Sequence, residues 1–473
     1  MKGLIWFRED LRINDNTALF RAAQKCDSGL IGFYIMNPAM WLKHQMAAVR
    51  VEFVLRGLQQ LSADLSTLNI PLLIIHSQNI HDTPAEIIKL VNEVKADAVF
   101  FNRQYEVNEL KRDQAVCDYL KLNNIHCESY DDQTILPPGI VKTQQGEHFK
   151  VFTPYKRAWQ QVFMQQHGIK VLGKPKKQQP LDIKSTAVPS SLPEFHSTVD
   201  PQFWPAGEKA AVKRLNHFVQ DKLFKYDKQR DFPAIDGTSK LSPYLAAGMI
   251  SPRQCFMSAL DANHNELDSG NTGAQTWLSE LIWRDFYKNI LITVPRISMH
   301  RAYKLETENI TWNFNKKLLA DWQQGNTGYP IIDAAMRQLN TIGWMHNRLR
   351  MITAMFLAKN LFFDWRLGEA YFMSHLIDGD LAANNGGWQW SASTGTDAAP
   401  YFRVFNPVTQ SERFDPNGDF IRQYCPELMD FDNRDIHNPH ARMPLLAVQS
   451  GYPAPTVNLD TSRKYAIEKF KNI

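Results

Sequence analysis

Residues 378–397 read DGDLAANNGGWQWSASTGTD: two aspartates, then Trp388 and Trp390 set among Ala, Gly, Ser, Thr and Asn. Carboxylates can accept from the ring N–H of a ligand, and small residues let a flat group approach the backbone. The stretch has neither helical nor strand periodicity, so it reads as a permissive loop or as the wall of a site for a planar ligand. Upstream, TWLSELIWRDFYKNIL (276–291) would place Trp277, Glu280 and Arg284 within about 60° of one another on a helix, with Trp283 and Tyr287 beside Glu280. That face is too polar for plain core and too aromatic for plain surface, although an i,i+4 ion pair over packed indoles has the same spacing. In GWMHNRLRMITA (343–354), Asn347, Arg350, Met351 and Ala354 share a helical face, with Arg348 about 100° around. Arg350 is a natural partner for Asp378 or Asp380, because carboxylates withdrawn from water need one. DGTSKLSPYLAAG (236–248) puts Thr238, Ser239, Lys240 and Ser242 ahead of a helix, a set suited to phosphate but without Walker spacing.

No G-x-S-x-G nucleophile motif and no H-E-x-x-H metal motif occurs. With many aromatics and few acid–base groups, the chemistry points to a bound cofactor and no metal. The five cysteines (Cys26, Cys117, Cys127, Cys255 and Cys425) are scattered, as expected of reduced thiols in the cytoplasm. No apolar run approaches the ~18 residues of a membrane span. Net charge is only +4, so a nucleic-acid site would have to be a local patch. Eight of the twelve tryptophans fall between Trp277 and Trp390, which concentrates the aromatic chemistry in the second half.

The elements that would position these groups fall into three stretches. Over 1–130, the apolar runs 4–7, 30–35, 71–76 and 97–101 alternate with helical patterns at 47–68, 84–95 and 107–122. That alternation predicts an α/β fold, a Rossmann-like parallel sheet with helices on both faces, without a G-x-G-x-x-G fingerprint. Residues 131–200 are rich in Pro, Lys, Gln and Ser and read as a long linker with one helix near 153–167. From 201 to 473 the pattern is helical, predicting a second, all-α domain.

Taken together, WFREDLRINDN (6–16), QYEVNE (104–109), VFTPYKRAW (151–159), RDFPAIDGTSKLSPYLA (230–246), GYPIIDAAMRQLNTIGWMHNRLRM (328–351) and above all 378–407 resemble the photolyase/cryptochrome flavoproteins over nearly the whole chain. The likeness is greatest to bacterial class I photolyases for cyclobutane pyrimidine dimers that carry a folate antenna. It implies an antenna-binding domain at 1–130, an interdomain linker at 131–200 and an FAD-binding catalytic domain at 201–473. It implies light-dependent repair of UV-damaged DNA without sequence preference, by electron transfer from excited, reduced FAD. A cryptochrome-like photoreceptor without repair activity is the alternative. No membrane or obligate protein partner is implied, and the chain is expected to be a monomer.

By position, the resemblance assigns Tyr226, Thr238, Ser239, Lys240 and Ser242 to the FAD phosphates. Trp277, Arg284, Asn347, Arg350, Asp378, Asp380 and Asn384 would line the rest of the cofactor. The Asn384 position faces flavin N5 in the family; an amide there favours the reduced anion, whereas the aspartate of plant cryptochromes could donate a proton. Trp283 and Trp390 match dimer-packing positions, Glu280 and Asn347 hydrogen-bonding ones, with Met351 beside them. Those enzymes of the family that repair (6-4) photoproducts carry His at the Asn347 and Met351 positions. Arg230, Arg348 and Arg403 match phosphate contacts, and Trp388, Trp365 and Trp312 the electron-transfer chain. His44, Asn108 and Glu109 match the site for 5,10-methenyltetrahydrofolate. Two positions depart from the pattern: the folate-tail lysine reads Met299, and an arginine of the phosphate loop reads Lys240, which keeps the charge without the fork.

Overall fold

The four apolar runs become strands β1 Gly3–Phe7, β2 Leu30–Met36, β3 Leu72–His76 and β4 Ala98–Asn102. A fifth, β5 His126–Tyr130, was not evident in the sequence: HCESY carries little apolar signal because it is an edge strand with no buried residue. All neighbours run parallel in the order β3-β2-β1-β4-β5. Alternation puts Leu4, Trp6, Ile31, Phe33, Val99 and Phe101 on one face. There they meet Ile87, Leu90 and Val91 of helix Thr83–Val94 and Val116 and Leu120 of helix Val107–Leu122. On the opposite face Gly32 lies beneath Leu65 of helix Ala48–Ser66, and Gly3 against Cys26 at the end of helix Thr17–Lys25.

This computed structural model describes residues 1–166 and 169–473, and the helix expected near 153–167 spans Phe152–Gln165; positions 167 and 168 lie outside the described residues. The chain forms two compact units. One comprises Met1–Phe224 and Ser239–Ser298, the other Lys225–Thr238 and Met299–Ile473. These lines differ from the compositional ones at 130 and 200, since helices Glu208–Asp221 and Thr272–Thr293 fold with the sheet. The linker is tied down at intervals. Asp132 takes Arg12 and Arg253, and Thr186 N–H donates to Leu72 O at 2.9 Å along the edge strand β3, blunting an edge that would otherwise be free to pair.

In the second unit, helices Lys316–Gln324, Pro330–Ile342, Asn347–Met355, Trp365–Met373 and Leu381–Ala392 gather around Trp322, Ile332, Met336, Trp365 and Trp388. The stretch that showed no regular period is thus a helix from Leu381 to Ala392. Asp380 is its N-cap, accepting from Ala383 N–H at 3.0 Å. It shows no amphipathic signature because it has no simple wet face: one side enters the core and another lines a cavity. Among the described residues no helix is long and apolar enough to cross a membrane.

Candidate active site

Within the second unit a cavity is lined by Asn347, Arg350, Met351 and Ala354 from helix Asn347–Met355 and by Asp378, Asp380, Ala383, Asn384, Gly387 and Trp388. The 100° step of the first helix brings its four residues to one side. Arg350 resolves the choice between the two aspartates. Its Nη2 donates to Asp378 Oδ2 at 2.7 Å and its Nε to Met345 O at 2.8 Å, while Asp380 Oδ1 accepts the helix-cap bond from Ala383 N–H. Asp378 Oδ1 remains buried without a hydrogen-bond partner among the described residues. A buried carboxylate oxygen left this way is costly unless a donor arrives, and Asp378 lines the cavity.

Asn384 donates one of its two amide N–H groups to Glu369 O at 3.0 Å, which fixes the amide on the cavity wall with its carbonyl oxygen as an acceptor. Behind it, Asn385 donates to the Glu369 carboxylate at 2.8 Å, and Gln389 to Asn385 Oδ1 at 2.7 Å. Glu369 was not among the expected site residues; an isolated glutamate in a helix gives no sign of burial. A Cβ built on Gly387 meets nothing within 4 Å, so the glycine leaves open the cavity space that a side chain would take. A carboxylate seeking an N–H, an amide acceptor and a bare backbone wall fit the ring system of a flavin.

Trp388 and Trp390 are 200° apart on their helix. Trp388 is buried edge-to-face with Phe372 at 4.9 Å and Trp322 at 6.0 Å, its six-membered ring against Gly368. Trp390 is half-buried. Trp365 and Trp388 belong to one apolar cluster, and Trp312 packs at its margin against Phe362 at 5.0 Å. Arg348 Nη2 donates to Asp231 Oδ1 at 2.7 Å, and the guanidinium lies over Phe414 at 4.5 Å. Arg230 sits over the buried Tyr226 ring at 5.3 Å, and Arg403 is exposed. Met299 is exposed too, and Thr238 is half-buried.

The remaining expected residues lie in the first unit. On helix Thr272–Thr293, Trp277 is buried against Phe218 and Glu280 is half-buried. Trp283 stacks on Phe152 at 3.6 Å and 9°, with Tyr287 at 5.6 Å. Arg284 donates to Gln133 O. The next residue, Asp285, was not anticipated: it accepts from Ile135 and Leu136 N–H and from Trp159 Nε1, fastening the linker beneath this face. Ser239 and Lys240 precede helix Ser242–Ala246, and Lys240 takes φ +49. Asn108 and Glu109 stand in the first turn of helix Val107–Leu122, and His44 ends helix Pro38–Lys43. Burial raises the Glu109 carboxyl above its ordinary value, against the pull of Arg112. Among the described residues no group of His, Cys, Asp and Glu could hold a metal.

Residues 3–178 match the family model described as DNA photolyase, and residues 277–472 that of the FAD binding domain of DNA photolyase. The chain is 45% identical over 99% of its length to the deoxyribodipyrimidine photo-lyase of Escherichia coli, covering 98% of that protein. A bacterial class III photolyase from Agrobacterium tumefaciens superposes with a TM-score of 0.86 at 31% identity, covering all of this chain and 97% of that one. A cryptochrome from Synechocystis does so with 0.89 at 27% identity, over 99% and 98%.

Proposed function

The chain belongs to the DNA photolyase family, and from that premise we infer that it is a deoxyribodipyrimidine photo-lyase, an enzyme of light-dependent repair of cyclobutane pyrimidine dimers in DNA that uses FAD. The observation that carries the reading within the site is the buried, unpartnered Asp378 Oδ1 beside Arg350, facing a cavity walled by Asn384 and Gly387. Cryptochromes share the fold, but identity is 43–45% to the deoxyribodipyrimidine photo-lyases of Escherichia coli, Salmonella typhimurium and Vibrio cholerae, against 27% to the Synechocystis cryptochrome.

Bound FAD, once reduced and excited by light, would supply the one-electron chemistry that reverses the cyclobutane dimer. Asp378 would take a ring N–H, and Arg350 holds that carboxylate in place. Asn384, fixed by one N–H donated to Glu369 O, has no acidic proton to give, which favours the reduced anion. Trp277, Arg284, Asn347 and Asp380 complete the cofactor contacts, and Tyr226, Thr238, Ser239, Lys240 and Ser242 hold its phosphates.

The damaged pair must leave the duplex, at a cost of a few kcal/mol that is smaller for a poorly stacked lesion. Trp283 and Trp390 recover it by stacking, roughly 1–3 kcal/mol per base. Phe152 behind Trp283 fixes that indole in advance, so little ordering remains to be done on binding. Glu280 and Asn347 hydrogen-bond the dimer beside Met351, and Arg230, Arg348 and Arg403 contact phosphate without reading sequence. Trp312, Trp365 and Trp388 carry electrons inward from the surface. His44, Asn108 and Glu109 offer donors and acceptors to a 5,10-methenyltetrahydrofolate antenna, and Met299 leaves its anionic tail without the family's lysine. The enzyme acts as a monomer in the cytoplasm.

The deciding experiment is blue illumination of a dimer-containing oligonucleotide with the purified protein, its flavin reduced. Dimers disappear in light and persist in darkness. Persistence under light with the flavin fully reduced overturns the reading.

A further inference from the structure

Lys359 is fully buried. It sits in a π-helical turn, Phe356–Asn360, a rare conformation that recurs at functional sites. Two residues beyond that turn Phe362 takes φ +58, unusual for a bulky side chain. The ammonium donates to Arg403 O at 2.8 Å and Pro400 O at 3.3 Å. Those carbonyls belong to a single turn, closed by Arg403 N–H donating to Pro400 O at 2.9 Å. Tyr401, Phe402 and Arg403 project outward from it. The turn is fastened at both ends. Ala399 N–H donates to Trp390 O at 3.1 Å and Ser393 Oγ to Ala399 O at 2.6 Å, while Phe405 N–H reaches Met355 Sδ at 3.3 Å.

Among the described residues the Lys359 amine bonds only to carbonyls. Burying an ammonium without a counter-ion is costly, and an apolar side chain would fill the same space without that cost. Burial, then the fields of Arg403 and Lys304, push it down to about 7. Lys304 donates to Ser393 O at 3.4 Å. On the adjoining helices the charges are engaged elsewhere: Arg350 with Asp378, Arg366 with Asp364 and Glu308, Glu369 with Asn385. From helix Leu459–Lys471 the neighbour is the neutral Ser462, bonded to Asn360.

We propose that Lys359 is a positioning residue for DNA: its ammonium holds the 400–403 turn in the shape that presents the Arg403 guanidinium to a phosphate near the lesion. This rests on the reading of Arg403 as a phosphate contact. A turn held in place before binding needs little ordering on binding. When phosphate neutralises Arg403, one of the two fields opposing the Lys359 proton is cancelled. DNA binding then takes up part of a proton near neutrality.

Binding of the complete flavoprotein to a dimer-containing duplex, measured by fluorescence anisotropy across salt and pH, tests this. Lys359→Met weakens binding about five- to twentyfold and lowers the salt slope by about one, the signature of one lost phosphate contact. Arg403→Ala does the same, and the double variant binds no worse than Arg403→Ala. Lys359→Gln, which keeps a donor, recovers most of the affinity. Wild-type affinity falls from pH 6 to pH 9 by a component that Arg403→Ala lacks. The flavin spectrum stays unchanged throughout. If Arg403→Ala weakens binding while Lys359→Met does not, or if the two losses multiply, the role of Lys359 is overturned. If Arg403→Ala binds as the wild type does, the phosphate reading of Arg403 falls, and this proposal with it. Should Lys359→Met fail to retain flavin, identical pH profiles for wild type and Arg403→Ala overturn the proposal without it.

Discussion

Replacing Gly368 by alanine tests whether the Trp388 indole depends on one missing methyl group. Gly368 lies inside helix Trp365–Met373, where alanine ordinarily gains about 1 kcal/mol over glycine. Here the added Cβ would stand 2.0 Å from Trp388 Cη2, 2.4 Å from Cζ3 and 2.6 Å from Cζ2. Carbon contacts settle near ~3.5 Å, so the indole must retreat by about 1.5 Å or the helices must part. Phe372 at 4.9 Å and Trp322 at 6.0 Å brace the ring, which is itself buried. Overpacking of this kind costs about 1–3 kcal/mol. Set against the propensity gain, the net is a destabilisation of about 0–2 kcal/mol and a fall in Tm of a few degrees. The larger effect should fall on electron transfer, because Trp388 is the member of the proposed tryptophan chain that lines the cavity. Photoreduction of oxidised flavin slows severalfold, followed by absorbance under blue light, while repair by chemically reduced enzyme is spared. Adding Trp388→Phe removes the clashing ring atoms, so in the double variant the alanine becomes neutral or stabilising. A Gly368→Ala protein that is about 1 kcal/mol more stable and photoreduces at the wild-type rate would refute the packing argument.

Two further expectations concern charge. Asp231→Asn removes the carboxylate that holds Arg348 in the free protein. Half-exposed surface pairs of this kind are worth about 1 kcal/mol, so undamaged DNA should bind up to about fivefold tighter at low salt. The gain should vanish as salt rises; weaker binding instead would show that Asp231 aims Arg348. Burial pushes the Asp285 carboxyl up to about 6, against the bonds from Ile135, Leu136 and Trp159. A folded value above the unfolded one means that this stabilisation is complete below about pH 4 and is lost as pH rises through 6, on the order of 3 kcal/mol. Urea unfolding between pH 4 and 7 should show that decline in the wild type and not in Asp285→Asn; parallel profiles would contradict it.

Much of the fold was legible because burial on both faces forces continuous apolar runs. Four strands and the helices Ala48–Ser66, Thr83–Val94 and Val107–Leu122 could be read directly, whereas the short helix Thr17–Lys25 and β5, half-wetted at the edge, could not. The helix Leu381–Ala392 escaped notice for a related reason, since a segment flanked by core on one side and a ligand cavity on another keeps no polar stripe. The presence of Arg350 and two aspartates announced an ion pair without saying which aspartate would make it. Asp380 is drawn into capping Ala383, leaving Asp378 to the guanidinium.

Residue types and their order along the chain determine the sheet, the helical second half and the inventory of indoles, carboxylates and guanidiniums, because these depend on local periodicity and on side-chain chemistry. The tertiary structure alone decided that Glu369 stands behind Asn384, that Phe152 backs Trp283, that Gly368 seats Trp388 and that Lys359 is buried under the Arg403 turn. Each is a contact between segments at least 15 positions apart, and no local pattern encodes a neighbour brought close only when the chain closes on itself.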